Sequence, residues 1–219
     1  MTTFVVSGHA SALHPAERAT ITVTVSFTGP DRKAVRTQAL AAHAAVVADA
    51  KSHDASKAAT EWYADSVAVD AYNEWVKDSD TTVLRYRAQS QVRVTFTDFD
   101  ALVDWVSDLA ERSGIEFHGI DWKLTEPTRL RVQREVRVAS VQDAITKAHD
   151  YAAGLGLGSP QLEKVYEEGL RPGVGGGPGI GFSKSMVPLG LSDASGGAVF
   201  ELKPEDVQVD ASITADFTM

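Results

Sequence analysis

The sequence contains no cysteine. Disulfide bonds, thiolate nucleophiles and cysteine-ligated zinc are therefore excluded. No apolar run approaches the roughly 18 residues of a membrane-spanning helix, since the run ALAAHAAVVA is short and contains a histidine. The N-terminus, MTTFVVSGHA, lacks the basic segment and the apolar core of a secretion signal. These absences predict a cytoplasmic protein without a membrane span.

Positive charge is also scarce. The 219 residues include 21 Lys and Arg against 30 Asp and Glu, for a net charge of −9. Nucleic acids and anionic membrane surfaces are bound through clustered Lys and Arg, so neither is expected as a partner. The hydrophobic content of 43% is that of an ordinary globular protein, and the length allows one large domain or two small ones.

Phosphate-binding motifs are missing, although one stretch is rich in glycine. GLRPGVGGGPGIGFSK, residues 169–184, lacks the Gly-Lys pair of a P-loop, and its glycines do not have the spacing of a dinucleotide loop. Such a Gly/Pro composition is typical of a flexible connector. We therefore expect residues 169–197 to form a flexible loop that binds no cofactor.

Catalytic and metal-binding patterns are not found either. No Gly-x-Ser-x-Gly elbow is present, which disfavours a hydrolase of that type. None of the histidines is paired at a spacing typical of metal ligands; they are His9, His14, His43, His53, His118 and His149. The sequence thus predicts no catalytic residue, no metal site and no enzymatic activity.

The N-terminal half reads as strands and helices in alternation. Residues 20–28 alternate strictly as a half-buried strand, and Asp31 is a plausible N-cap for the helix that follows. Residues 60–72 predict a strand with a bulge where the pattern slips, and residues 83–97 predict its antiparallel partner. The segment between them, NEWVKDSD, is expected to be a turn.

The second half continues this mixture. A helix capped by Thr97 or Asp98 ends at Gly114, and the next strand has a phase slip at Gly119 that predicts a bulge. A long helix is expected over about 128–154, a short strand over 161–168, and a long alternating strand at the C-terminus. The pattern predicts an α+β fold of two-layer sandwiches, with helices on one face of largely antiparallel sheets.

Two stretches resemble the SIMPL-domain family. RYRAQSQVRVTFTDFDALVDWVSDLAERSGIEFHGIDWKLTEP, residues 85–127, is similar to the family's Gly-Tyr-x-Ala, alternating strand, Asp-Leu-Asp, helix and Gly-Ile-x-Phe-x-Leu-x-Asp pattern. Residues 140–157 resemble its Ala-Val-x-Asp-Ala-x-x-Lys-Ala helix. The chain departs from the family at several positions: Arg85 replaces the usual Gly, His43 and Ser90 stand where Asn is common, and Trp122 and Glu126 replace Phe and Asp.

The resemblance implies two α+β subdomains, one of them ferredoxin-like, and ring-like homo-oligomers in some relatives. It supplies no catalytic residues, and it suggests roles in stress tolerance, antigenicity or signalling. We expect residues 59–125 to form an inserted β-β-α-β ferredoxin-like subdomain. Residues 1–58 and 126–219 would together form the other subdomain.

Four residues stand out as candidate contacts. Arg131, Arg134 and Arg137 recur every third residue, so they form either an anion or partner patch or an ordinary solvated helix face. Trp75 lies in the expected hairpin turn, where it either anchors a subunit contact or packs against its own hairpin.

The favoured function is a non-enzymatic, self-assembling scaffold or interaction module, and the resemblance adds a role in stress to this expectation. Contacts between identical subunits are expected at strand edges, with the long C-terminal strand as a candidate, or at the hairpin. The alternative is a small-molecule binder whose pocket is closed by the 169–197 loop.

Overall fold

A computed structural model describes residues 2–76, 81–167, 169–172, 186–187 and 202–219. Within these residues, strands and helices follow in the order β1 (Thr3–Pro15), β2 (Arg18–Gly29), α1 (Arg32–Ala55), β3 (Ala59–Ala64), β4 (Ala68–Trp75), β5 (Thr82–Phe96), α2 (Phe99–Ala110), β6 (Ile115–Lys123), α3 (Glu126–Gly154), β7 (Gln161–Glu167), β8 (Met186–Val187) and β9 (Asp206–Thr218). The expected α+β class is confirmed.

The chain divides into two compact units. Unit 1 comprises the described residues within Met1–Ala16, Leu124–Lys184 and Asp206–Met219. Unit 2 comprises the described residues within Glu17–Lys123 and Ser185–Glu205. This division differs from the expected first boundary at residue 58, because β2 and α1 belong with the strands and helix that follow them.

Unit 1 is a three-stranded antiparallel sheet in the order β1-β9-β7. β9 alternates as expected, with Val209, Ala215 and Phe217 buried on one face. It is not an uncovered edge, however, because β1 pairs with it along one side and β7 along the other. The expectation that the terminal strand offers a free edge is therefore wrong.

Helix α3 covers one face of this sheet, packing on β1 and β9. Its contact stripe consists largely of small side chains spaced four residues apart, including Ser140, Ala144 and Ala148, all buried. Gly8 of β1 lies directly beneath them. The small residues allow the helix to approach the strand closely.

Unit 2 has the order β3-β5-β2-β6-β8, with β4 also paired to β5. Helix α1 packs on β2, β3 and β5, and α2 packs on β5 and β6. Because β2 pairs with both β5 and β6, and β3 and β4 together take one strand position beside β5, the elements from β2 to β6 form the β-α-β-β-α-β arrangement of a ferredoxin-like unit. The expected ferredoxin-like fold is thus present, and it begins at β2.

Local features of unit 2 follow the sequence closely. The carboxylates of Asp31 and Asp98 accept backbone N–H bonds at the starts of α1 and α2, which confirms both caps. The β2–β6 register shifts opposite Gly119, whose φ is +62°, so the expected glycine bulge is confirmed. The bulged strand expected over 60–72 is instead two strands, β3 and β4, which pair with successive parts of β5.

Several expectations fall beyond the described ranges. Of the glycine-rich stretch, residues 173–185 and 188–201 lie outside the described residues, so the flexible-connector hypothesis stays a prediction. Within the described part, none of the helices is both long and apolar enough to cross a bilayer. The four tryptophans all lie in unit 2; they are Trp62, Trp75, Trp105 and Trp122.

Candidate functional site

The β4–β5 hairpin extends beyond the rest of its sheet. β2 pairs with β5 only from Tyr86 onward, whereas residues 82–85 pair with β4 alone. The segment NEW, expected to begin a turn, therefore continues β4 to Trp75. A two-stranded ribbon has little stability of its own. Apolar side chains that stay exposed on it do not contribute to a core, so they indicate a role in contacts.

One face of this ribbon carries no charge. Besides the buried Ala88, cross-strand pairing places seven side chains on it: Val69, Ala71, Asn73, Trp75, Thr82, Leu84 and Tyr86. Trp75 is 71% exposed and Leu84, its diagonal neighbour across the strands, is 51% exposed. We call these seven residues the uncharged hairpin face.

The opposite face of the ribbon holds the charges. Arg85 Nε lies 2.7 Å from Glu74 Oε2, across the two strands. The guanidinium of Arg87 lies 5.9 Å from the ring centroid of Tyr72. Such exposed contacts stabilise the protein by little, but they link β4 to β5 and hold the projecting ribbon in one conformation.

Trp75 differs from the other tryptophans in its environment. Trp105 and Trp122 are buried in the core of unit 2, as expected for aromatic residues on regular elements. Trp62 is half-buried, with the Lys51 ammonium 5.7 Å from its ring centroid. Of the two interpretations of Trp75, its high exposure favours a contact anchor over packing against its own hairpin.

The three candidate arginines of α3, Arg131, Arg134 and Arg137, do not converge on one point. Arg131 Nη1 lies 2.9 Å from Glu135 Oε1, and its Nη2 lies 3.3 Å from His14 Nε2 of β1. Arg137 Nε lies 4.0 Å from Glu167 Oε1 of β7, while Arg134 is exposed. Arg131 and Arg137 thus turn toward opposite edges of the sheet and toward carboxylates, which favours the solvated helix face over an anion patch.

A polar pair on α3 contacts the outer edge of β1, a feature that the sequence analysis missed. Asp143 Oδ2 accepts a hydrogen bond from the backbone N of His9 at 2.8 Å. Lys147 Nζ donates to Asp143 Oδ2 at 2.6 Å and to the backbone O of Ser7 at 3.2 Å. These side chains occupy the backbone N–H and C=O groups at the edge of β1 through which another strand would pair. An acid–base pair four residues apart is visible in the sequence, but the strand beneath it is not.

The pKa of Asp143 is lowered by the hydrogen bond from Lys147 and, next, by the backbone N–H of His9. A lowered pKa means that the folded state favours the carboxylate, so the stabilisation is complete above the ordinary pKa of about 3.9 and is lost as the pH falls through the lower, folded value. We therefore expect Asp143→Asn to lower stability at neutral pH, and the difference from the parent to close below about pH 4.

Urea unfolding over a pH series measures this difference. Asp150→Asn is the matched control, because Asp150 lies exposed on the same helix. A constant difference between parent and Asp143→Asn down to about pH 3 would contradict an origin in the charge of Asp143.

Two positions at which the chain departs from the family pattern meet in unit 2. His43 Nδ1 of α1 lies 2.9 Å from Ser90 Oγ of β5, and Ser90 is buried. The pair satisfies a buried hydroxyl between helix and sheet, which is a structural role. Among the described residues, no three His, Asp or Glu side chains come together as metal ligands would.

Comparison with protein-family models gives a match. The family model described as "SIMPL: Protein of unknown function (DUF541)" matches residues 4–217, nearly the whole chain. No curated protein matches the chain.

Proposed function

The chain belongs to the SIMPL family, whose function is unknown, and we propose that it is a non-enzymatic, self-assembling interaction module that makes its contacts through the β4–β5 hairpin. The observation that carries this proposal is the uncharged hairpin face, on which Trp75 is 71% exposed. Exposed apolar side chains grouped on one surface are typical of interaction sites, and tryptophan is among the residues that contribute most to interface affinity.

Backbone pairing at strand edges is less favoured than hairpin contacts. The outer edge of β1 is contacted by Asp143 and Lys147 of α3. β7 carries a register irregularity between Leu162 and Lys164. Bulges and charged side chains are the usual means by which edge strands avoid pairing with another chain. Assembly is therefore expected to use the side chains of the hairpin.

Trp75→Ser is expected to abolish or strongly weaken assembly. The change removes the most exposed aromatic surface of the hairpin without touching a buried residue, and losing a central interface tryptophan costs about 2 kcal/mol or more, a factor of about 30 in affinity. Light scattering coupled to size exclusion, over a concentration series, gives the mass of parent and variant.

Tyr63→Ser is the matched control. Tyr63 is also an exposed aromatic residue of the same sheet, at 62%, but it lies on β3, away from the ribbon. Its variant is expected to assemble like the parent. A parent that is monomeric throughout the series, or a Trp75→Ser variant with the parent's mass, would contradict the proposal.

Other expectations stay predictions. A pocket closed by the 169–197 loop depends on residues of which most lie outside the described part. A cytoplasmic location and a role in stress also stay predictions. The proposal of self-assembly depends on neither.

A further inference from the structure

The sheet of unit 1 is only partly covered by its helix. Leu162 and Val165 of β7 pair with Phe217 and Ala215 of β9, both of which are buried beneath α3. Leu162 and Val165 thus point to the helix side of the sheet, yet they are 45% and 44% exposed. Helix α3 packs on β1 and β9, and the described residues leave the helix side of β7 open.

The flank of α3 that faces β7 is apolar. The contact between Arg137 and Glu167, at 4.0 Å, shows which side of the helix looks toward this strand. Val141 and Ile145 follow Arg137 at successive helical turns, so they lie on the same flank, and both pack against the cluster that contains Phe217. On the other flank, Asp143 and Lys147 contact β1.

An apolar groove results, which we call the β7 groove. Its walls are Val141 and Ile145 on α3 and Leu162 and Val165 on β7. The ion pair between Arg137 and Glu167 marks one end. In a two-layer sandwich a second helix would normally cover the part of the sheet face formed by β7. Within the described residues of unit 1, no second helix covers it.

We infer that the β7 groove receives the uncharged hairpin face of a second copy of the chain. This inference rests on the proposed function, because it names the partner of the hairpin. Apart from the Arg137–Glu167 ion pair at one end of the groove, the residues named on the two surfaces are uncharged, so the contact would bury no unpaired charge.

The apolar part of the groove is about half as long as the hairpin face. The hairpin face from Val69 to Trp75 is about 20 Å long, and the apolar part of β7, from Leu162 to Val165, is about 10 Å long, at about 3.3 Å per strand residue. The exposed large apolar side chains are Trp75 and Leu84 on the hairpin and Leu162 and Val165 in the groove. A contact of this size lies at the low end of specific interfaces, below about 1,200 Å² in total, so assembly is expected to depend on protein concentration.

A contact between two different surfaces is heterologous, so each chain offers its hairpin face to one neighbour and its β7 groove to another. Val165→Arg should disable the groove, and Trp75→Ser should disable the hairpin face. Each variant alone is expected to be monomeric. Mixed in equal amounts, the two are expected to form a 1:1 pair of twice the chain's mass, because the intact hairpin of one fits the intact groove of the other.

Light scattering coupled to size exclusion measures these masses, and far-UV circular dichroism checks folding. Leu13→Arg is the matched control, since Leu13 is exposed on another strand of the same sheet, and it should assemble like the parent. If Val165→Arg does not fold, Leu162→Arg takes its place.

The outcomes separate the two proposals. A Val165→Arg variant with the parent's mass would overturn the groove and leave the hairpin proposal intact. Monomeric variants that do not pair on mixing would also overturn the groove, and would indicate a contact between two identical surfaces. A Trp75→Ser variant with the parent's mass would overturn the hairpin proposal and this inference with it.

Discussion

Gly8→Ala is expected to lower the free energy of unfolding of unit 1 by about 3 kcal/mol or more. A Cβ at Gly8 would lie within 3 Å of Ser140 O, which it would overlap, and 2.9 Å from Ala144 N, both backbone atoms of α3. A backbone carbonyl cannot rotate away as a side chain can, so the whole helix must lift from β1. Its small contact residues would then lose their packing against the sheet.

Urea unfolding followed by far-UV circular dichroism measures this loss. Gly154→Ala is the control, because a Cβ there meets no atom within 4 Å and alanine is the better helix former. The control is expected to keep or slightly raise the parent's stability. An unfolding midpoint unchanged by Gly8→Ala would show that α3 does not lie as close to β1 as the structure places it.

Phe96→Ala is expected to destabilise unit 2 by about 3–5 kcal/mol. The ring of Phe96 is fully buried at the end of β5, with ring centroids 5.1 Å from His53 of α1 and 5.5 Å from Trp105 of α2. Its removal leaves a cavity where both helices meet the sheet. Trp105 is held beside this cavity, because its Nε1 donates to Asp49 Oδ2 at 3.2 Å, and Asp49 also accepts from Arg112 Nη1 at 2.6 Å.

The same urea experiment tests this change. Tyr63→Ala, which removes an exposed aromatic ring from β3, should alter the midpoint little. If the two alanine variants were equally stable, the packing around Phe96 could not be as tight as the ring distances indicate.

Local features could be predicted from the sequence because their causes are local. Asp31 and Asp98 precede apolar stripes of helical period, and each caps the helix that follows. Gly119 marks a phase slip in an alternating strand, and a bulge lies there. In these places the residues that decide the structure are neighbours in the chain.

Strand order could not be predicted in the same way. The alternation of β9 shows that one face is buried, but a central and an edge strand of a half-covered sheet share that pattern. Pairing of β9 with β1 joins the two ends of the chain, and no local residue encodes it. The misplaced boundary at residue 58 has a similar cause, because β2 pairs with strands far along the chain.

The candidate site was predictable in one residue only. Trp75 is conspicuous as an aromatic residue in an expected turn, whereas Leu84 falls within the strand predicted over residues 83–97 and nothing in the sequence marks it as exposed. Leu84 is exposed because β2 ends before it, and that depends on tertiary pairing. The β7 groove was hidden for the same reason: only the position of α3 over β1 and β9 leaves Val165 uncovered.

The confinement of all four tryptophans to unit 2 gives the molecule a built-in optical label. Tryptophan fluorescence, excited at wavelengths that tyrosine does not absorb, reports on the surroundings of residues in that unit alone, whereas circular dichroism sums the backbone of both. The separation between the two midpoints in one sample therefore measures how strongly the unfolding of one unit depends on the other. Because Trp75 lies in the proposed contact, the wavelength of its emission maximum would also report when a second copy covers it.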